Sequence, residues 1–245
     1  MTVIPIPEGL FTVDKTKEFV PIIKLSGEIF EKPEGSIVIE IQPFIILTNK
    51  DIILIDTGIG NTVDNELQLH KTLLSFDIHP SQITKVLLSH LHKDHTGGIT
   101  KQNEEGENVL AFENAKYYIQ QKEYEYAMDM GSPHYIKDQL NVLYNNPNVV
   151  WLNGNGLIDN YINFELTSGH SKYHQVFYIK EEGEIIFFGG DDAPQFKQMN
   201  IQFVAYYDYD GKKCRDLRKF WKERGQREHW KFLFYHDLKT PSVIL

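Results

Sequence analysis

The chain has 245 residues, of which 41% are hydrophobic and 24% are charged, with one cysteine and a net charge of −9. The length and hydrophobic content are enough for a substantial core, and the lack of linker-like or repetitive tracts predicts one domain over residues 1–245. The negative charge argues against binding to nucleic acid or anionic membranes, and a single cysteine excludes an internal disulfide. Without a signal-like start or a membrane-length apolar run, we expect a cytoplasmic protein.

Apolar segments separated by turn residues predict β-structure in the first third of the chain. These segments cover residues 20–25, 37–41, 44–48 and 52–55, and we expect them to pair as consecutive antiparallel neighbours. The apolar spacing after them predicts a helix over residues 65–76. A further apolar run from Val86 to Ser89 predicts one more strand.

The second half alternates between helices and strands. Helices are predicted on either side of a Gly-Ser-Pro break at residues 131–133, and strands rich in β-branched and aromatic residues follow. The predicted helices cover residues 121–130, 135–144 and 212–231, and the predicted strands cover 117–119, 162–166, 176–180, 185–188 and 232–235. This order predicts an α+β fold of two sheets wrapped by helices.

The helix predicted over residues 212–231 is strongly basic, with nine Lys or Arg residues against three Asp or Glu. Leu217, Phe220 and Trp221 recur at roughly helical spacing, and we expect them to pack inward beneath a solvated charged face. The alternative is a patch for a phosphate-bearing or acidic partner. Cys214 is interpreted as incidental rather than reactive.

Four side chains that can bind metal are crowded into six positions after the run that ends at Ser89. His90 and His92 lie on one side if the chain is extended, and a turn then brings Asp94 and His95 towards the same space. One ion rarely uses four such ligands together with an open position. The cluster therefore predicts a second ion or supporting partners for the ligands.

Four more residues with imidazole or carboxylate side chains each follow an apolar strand. They are Asp56, His170, Asp191 and His236. Since strand ends of this kind meet at one edge of a sheet, we expect these residues to join the first cluster. Apart from Asp56, the combined residues are five imidazoles and two carboxylates, a set that suits zinc, with iron or manganese possible.

Together these residues resemble the metallo-β-lactamase superfamily, whose H-x-H-x-D-H motif matches residues 90–95. The other four residues match in order, and the resemblance covers roughly residues 35–240. It implies a four-layer αββα sandwich with its site at one edge of the two sheets. It also implies a division of the ligands between two ions: His90, His92 and His170 for one, Asp94, His95 and His236 for the other, Asp191 as a bridge, and Asp56 behind them.

The resemblance further implies a hydrolase that acts on a small molecule. Two ions about 3.5–4 Å apart would hold a hydroxide that attacks a carbonyl or phosphoryl centre. Asp94 would help to move a proton, so it is the predicted catalytic residue. Asp56 would accept a hydrogen bond from a ligand histidine and fix its orientation.

Within the superfamily the chain is most similar to the lactonase-like and organophosphate-hydrolase-like group. Two positions depart from the pattern of acyl-homoserine lactonases. Lys172 and Tyr173 stand where those enzymes have Pro-Gly, and Pro194 stands where they have a tyrosine. Tyr173 is a candidate donor to a substrate carbonyl. We therefore expect cleavage of an ester, a lactone or a related bond.

Two other functions stay open: a phosphodiesterase or nuclease of the same superfamily, and a non-hydrolytic metal-binding or redox protein. At the level of residues, Asp192 competes with Asp191 for the bridge, and His174 is either a structural histidine or a support for the ligands. The remaining histidines are predicted to be surface or packing residues: His70, His79, His134 and His229.

Overall fold

The computed structural model describes residues 1–22 and 32–245, which contain nineteen strands and five α-helices. The strands are β1 (Thr2–Pro5), β2 (Gly9–Val13), β3 (Phe19–Pro21), β4 (Ile37–Ile41), β5 (Phe44–Leu47), β6 (Ile52–Ile55), β7 (Thr62–Val63), β8 (Glu66–Leu67), β9 (Lys85–Leu87), β10 (Thr100–Gln102), β11 (Asn108–Leu110), β12 (Lys116–Gln120), β13 (Val149–Leu152), β14 (Gly156–Ile158), β15 (Ile162–Leu166), β16 (Gln175–Glu181), β17 (Glu184–Phe188), β18 (Lys231–Leu233) and β19 (Ser242–Ile244). The helices are α1 (Gln68–Ser75), α2 (Lys93–Thr96), α3 (Gln121–Met130), α4 (Lys137–Leu140) and α5 (Gly211–Glu228). Among the described residues, no helix combines the length and the apolar character needed to cross a membrane.

Two six-stranded sheets form the centre of the molecule. The first has the order β1-β5-β6-β9-β12-β13, and the second has the order β14-β15-β16-β17-β18-β19. Helices α1 and α3 pack on the outer face of the first sheet, α5 packs on the outer face of the second, and the inner faces meet in a shared core. The predicted α+β fold with four αββα layers is confirmed.

Side-chain alternation along the strands creates these layers. In β5, Phe44 and Ile46 face the core between the sheets, whereas Ile45 faces the helices. In β16, Phe177 faces the inner core, whereas Tyr178 packs with Trp221 of α5. Because each strand is apolar on both faces, it is covered on both sides, as the sandwich requires.

The parallel strand pairs explain why the site lies at one edge. β6 pairs in parallel with β9, and β17 pairs in parallel with β18. Parallel strands end at the same edge of a sheet. Asp56 follows β6 directly, His90 comes shortly after β9, and Asp191 and His236 come shortly after β17 and β18. The strand ends therefore deliver all four side chains to one region.

Among the described residues, two of the three pairings predicted for the first strands are wrong, because β2 lies between β3 and β4, and β4 and β5 belong to different sheets. β5 and β6 are antiparallel neighbours as expected, but β4 pairs with β2, in a three-stranded sheet of order β3-β2-β4. Strands β1 and β2 were not predicted, because their proline- and glycine-containing segments lack a long apolar run. The strand expected over residues 20–25 overlaps β3, and its remainder from residue 23 lies outside the described residues.

Two helix predictions are corrected. The helix expected over residues 135–144 is limited to α4 and a following 3-10 turn over Asn141–Leu143. In α5 the side chain of Phe220 is 50% exposed, and Arg218 takes the inward position. Arg218 is accommodated there because its guanidinium donates to the carbonyl oxygens of Asp192 and Phe203.

Candidate active site

Three histidines form the first half of a side-chain cluster at the sheet edge. Nδ1 of His92 lies 2.9 Å from Nε2 of His90 and 3.1 Å from Nε2 of His170. His92 is extended and immediately precedes α2, which turns the chain towards the second half of the cluster. The three nitrogens converge on one point, the arrangement of a metal ligand set.

Asp94, His95 and His236 form the second half. Oδ2 of Asp94 lies 3.5 Å from Nε2 of His236 and 3.7 Å from Nε2 of His95. All three side chains are buried. Their ligand atoms are close enough to hold a second ion.

Asp191 lies between the two halves. Its Oδ2 atom is 3.2 Å from Nε2 of His170, and its Oδ1 atom is 3.2 Å from Nε2 of His236 and 3.3 Å from Nε2 of His95. One carboxylate oxygen thus faces each group. The structure brings together all seven residues that the sequence suggested as ligands.

Four of these histidines contact a protein oxygen through Nδ1, and this contact leaves Nε2 directed at the cluster. The oxygen partners are Ser89 Oγ for His90 at 3.0 Å, Asp56 Oδ2 for His95 at 2.8 Å, Asp208 Oδ1 for His170 at 2.8 Å and the Glu40 carbonyl for His236 at 2.6 Å. Such contacts fix the tautomer and orientation of metal-binding histidines. These contacts therefore orient four of the five histidines towards the cluster.

Asp56 is fully buried and is held by several hydrogen bonds. Its carboxylate accepts from the backbone N–H and the hydroxyl of Ser89, both at 2.8 Å, as well as contacting His95. Its φ of 53° lies in the left-handed region, where aspartate is more tolerated than most residues. Asp56 lies behind the cluster, the position that the family resemblance implies.

The two halves of the cluster differ in electrostatics. Burial, followed by the neighbouring rings, lowers the pKa of His90 and His92 well below the usual range, so both rings are neutral. Burial alone would also lower the pKa of His95, but Asp191, Asp94 and Asp56 raise it well above its usual value. Neutral imidazoles in one half and a surplus of carboxylates in the other both favour the binding of cations.

The lowered pKa of Asp191 also favours the binding of cations. Burial would raise it, but His236, His95 and His170 together hold it well below the usual value of a carboxyl group. Asp191 is therefore ionised despite being surrounded by protein. An ionised oxygen facing several ring nitrogens is a competent metal ligand.

The cluster also contains polar atoms without a hydrogen-bond partner, which is rare in a buried site. Nε2 of His95 and Oδ1 of Asp191 are both buried, and neither makes a hydrogen bond of acceptable geometry. Divalent ions bound by nitrogen and oxygen would satisfy both atoms. The residues present therefore fit a site for two such ions.

Asp192 and His174 lie behind the cluster. The carboxylate of Asp192 points away from it, accepts from the backbone N–H of His170 at 2.6 Å and lies 3.1 Å from Nδ1 of His174. Nε2 of His174 in turn accepts from the backbone N–H of Asp191 at 3.1 Å. Both residues thus position the backbone of neighbouring cluster residues.

Three residues near the cluster were not predicted from the sequence. His134, expected to be a surface or packing residue, has its ring 5.1 Å from the ring of His92. Glu123 is buried and accepts from the backbone N–H of Leu91 at 3.1 Å, which braces the segment between His90 and His92. Asp208 is the third, through its contact with His170. His134 and Asp208 lie in loops, and Glu123 comes three residues after β12 but lies within a predicted helix, so no local pattern marked them as parts of the cluster.

A cavity of about 740 Å³ opens onto the cluster. Its lining includes His92, Asp94, His170, Asp191 and His236, with Tyr206 and Tyr207 among the other lining residues. Tyr173 is not among the described residues that line it; its ring packs against Tyr126 with 6.0 Å between centroids. The structure therefore does not bring Tyr173 to the cavity, and its role in substrate binding stays a prediction.

Glu8 supports the loop that follows Asp56. Its carboxylate accepts from the backbone N–H groups of Ile59 at 2.5 Å and Asn61 at 3.1 Å. A Cβ added at Gly58, which has a φ of 73°, would lie 1.8 Å from Oε2 of Glu8. Close contact with this carboxylate thus requires glycine at position 58.

The burial of Glu8 predicts a dependence of stability on pH. Burial, opposed by the backbone N–H groups, raises the pKa of Glu8 from 4.5 to about 7. The folded state therefore binds the Glu8 proton more tightly than the unfolded state does. The protonated side chain stabilises the fold fully below pH 4.5, and this stabilisation is lost as the pH rises to 7. We expect the unfolding free energy of the wild type, relative to Glu8→Gln, to fall by about 3 kcal/mol over this range. Denaturant titrations at several pH values measure this difference. A difference that does not change with pH would show that folding does not raise the pKa of Glu8.

A family model described as the metallo-beta-lactamase superfamily matches residues 41–224. The chain is 32% identical over 119 residues to the N-acyl homoserine lactonase AttM of Agrobacterium fabrum, a match that covers 44% of this chain and 39% of that protein. It is 31% identical over 119 residues to the protein of the same name from Rhizobium radiobacter, with the same coverage. These matches span about two fifths of the length of each lactonase.

Solved structures share the fold over almost the whole chain. A probable metal-dependent hydrolase from Staphylococcus aureus has a TM-score of 0.79 at 23% identity, with 99% of this chain and 91% of that chain covered. AidC, described as a dizinc quorum-quenching lactonase in complex with a product, has a TM-score of 0.72 at 19% identity, with 99% and 89% covered. At these identities the likeness concerns the fold.

Proposed function

Because the chain belongs to the metallo-β-lactamase superfamily, we propose that it is a dinuclear metallohydrolase that cleaves an ester or lactone bond of a small molecule. The observation that carries this proposal is the position of Asp191, whose two oxygens face the two halves of the ligand cluster at 3.2–3.3 Å. A single carboxylate shared in this way is suited to two ions held side by side.

In the proposed assignment each half of the cluster holds one ion. His90, His92 and His170 form one ligand set, Asp94, His95 and His236 form the other, and Asp191 serves both. The nitrogen-rich donors favour zinc, with iron or manganese as alternatives. When bound, two such ions supply a strong nucleophile from water at neutral pH and polarise the bond to be cleaved.

The residues of the chain perform the remaining tasks in this proposal. Asp56 and Asp208 hold the rings of His95 and His170 in place through 2.8 Å contacts. Asp94 lines the cavity and is buried, so its carboxylate oxygen is suited to move a proton between the attacking water and the leaving group. Oriented groups of this kind reduce the reorganisation that the reaction requires.

The cavity supports a small-molecule substrate. A volume of about 740 Å³ and an apolar wall are typical of pockets for such ligands. The partial matches to proteins named N-acyl homoserine lactonases support a lactone or ester rather than another bond. No residue of the basic helix α5 is among the described residues that line the cavity, so α5 itself gives no support to the phosphodiesterase alternative.

The proposed function predicts which substrates are cleaved. The purified protein, assayed with a panel of lactones, aryl esters, thioesters and phosphodiesters, should hydrolyse lactones or esters at least ten times faster than phosphodiesters. A chelator should abolish this activity and added zinc should restore it. Faster cleavage of phosphodiesters would favour the nuclease alternative, and a lack of hydrolysis by a metal-loaded protein would favour a binding or redox role.

A further inference from the structure

We propose that the substrate carries an anionic group, a carboxylate or a phosphate, in addition to the bond that is cleaved, and that Lys17 and Lys93 bind this group. The inference rests on the proposed function and deepens it by naming a class of substrate. The inference comes from the positive charge of the cavity lining, to which both lysines belong.

Lys17 reaches the cavity from the loop between β2 and β3. Its Nζ atom lies 5.1 Å from the centroid of the Tyr207 ring, and that ring lies 6.1 Å from the ring of His170. Lys17 Nζ is therefore no farther from the His170 ring than these two distances combined. A small substrate with one end at the metal cluster can contact Lys17 with the other.

Lys93 reaches the same region from the start of α2. It lies between His92 and Asp94 in the chain, and its Nζ atom is 5.5 Å from the centroid of the Phe19 ring. The pKa of His134 is lowered, mainly by burial. The positive charges of Lys17 and, more weakly, Lys93 lower it further, so both lysines act electrostatically on this histidine. Lys17, Lys93 and His134 all line the cavity, so both ammonium groups act on the same space.

Neither ammonium group is neutralised by an acid in the part of the chain that the structure describes. Within residues 1–22 and 32–245, no carboxylate oxygen lies within 4.0 Å of Lys17 Nζ or Lys93 Nζ. By contrast, Lys71 and Lys85 are paired with aspartates at 2.9 and 2.6 Å. Asp14 also lines the cavity, and its charge interacts with Lys15.

Ammonium groups that have no acidic partner among the described residues are unusual beside a site for divalent ions. Like charges repel one another, and a protein with a net charge of −9 has enough carboxylates to pair them. A negatively charged substrate would remove this repulsion and would also be drawn towards the cavity. The lysines are therefore suited to select an anionic substrate.

The rest of the cavity wall indicates where the uncharged part of the substrate lies. It is largely apolar, and its apolar residues come from the β2-β3-β4 sheet and from loops near the cluster. They are Val13, Phe19, Ile37, Val38, Ile39, Phe203 and Leu238. An acyl chain packed on this surface would lead from the scissile bond to the lysines.

Four 4-nitrophenyl esters of equal chain length test the proposal, with acyl chains that end in a methyl, a carboxylate, a phosphonate or a trimethylammonium group. The expected order of kcat/KM places the carboxylate and phosphonate esters at least fivefold above the methyl ester, with the trimethylammonium ester lowest. The ratio of the two anionic esters distinguishes a carboxylate from a phosphate. The preference should weaken as salt is added.

Lys17→Gln should lower the ratio of kcat/KM for the anionic ester to that for the methyl ester by roughly fivefold, and Lys17→Glu should lower it further. Lys50→Gln is the matched control, because Lys50 also lies in a strand-connecting loop with Nζ near a tyrosine ring, 5.8 Å from that of Tyr161. This control should keep the wild-type ratio.

The outcomes separate this inference from the proposed function. Equal, metal-dependent hydrolysis of all four esters would overturn the anionic substrate and leave the hydrolase in place. A preference that survives in Lys17→Glu would overturn the role of Lys17. If no ester is hydrolysed by the metal-loaded protein, the proposed function fails together with this inference.

Discussion

Asp191→Asn is expected to lower kcat/KM for ester hydrolysis by about 10³-fold and to reduce the number of bound ions from two to one. The reason is the position of the carboxylate, whose Oδ1 atom faces His95 and His236 while Oδ2 faces His170. Asparagine keeps the shape but removes the charge and replaces one oxygen with a group that cannot bind a metal. Steady-state kinetics and metal analysis of the purified variant measure both effects.

Asp192→Asn provides the neighbouring control. Its carboxylate contacts the backbone N–H of His170 and the ring of His174 rather than the cluster. We therefore expect this variant to lose about 1–3 kcal/mol of stability while it retains two ions. If Asp192→Asn lost an ion and Asp191→Asn kept both, the bridge would have to be reassigned to Asp192.

Asp56→Asn is expected to weaken metal affinity by about 10–100-fold and to lower the unfolding free energy by about 1–3 kcal/mol. The carboxylate accepts two hydrogen bonds from Ser89 and contacts Nδ1 of His95, all at 2.8 Å. The amide of asparagine presents a donor to groups that are themselves donors. Competition with a metal chelator measures the affinity, and thermal unfolding of the metal-free protein measures the stability.

Asp64→Asn is a closely matched control for this prediction. Asp64 also has a left-handed backbone, with φ of 54°, but its side chain is exposed and forms a surface ion pair with Lys71. Because surface pairs contribute little, this variant should retain the wild-type metal affinity and stability. A similar loss in both variants would mean that the backbone conformation, rather than the buried carboxylate, causes the effect.

The parts of the site that were predicted from the sequence are those marked by local patterns. His90, Asp191 and His236 each come within three residues of an apolar strand, so their convergence follows once the strands form sheets. The order of strands and helices predicted two sheets wrapped by helices, and the family resemblance implied the four layers. The cytoplasmic location and the single domain over residues 1–245 stay predictions.

The parts that were missed depend on tertiary packing. His134 and Asp208 reach the cluster from loops, where no periodic pattern signals which residue points inward. Arg218 replaces Phe220 on the inner face of α5, because two backbone carbonyls accept its guanidinium hydrogen bonds. Hydrophobicity alone favours the opposite choice. Polar partners contributed by distant segments cannot be recognised from local sequence.

A metal titration tests whether hydrolysis depends on a pair of ions that share Asp191. The protein is stripped with a chelator, zinc is added back in fractions of an equivalent, and bound metal and ester hydrolysis are measured at each step. Full activity should require two equivalents of zinc per chain, and the one-ion form should have only a small fraction of it. Full activity at one equivalent, or no hydrolysis with two ions bound, would contradict this prediction.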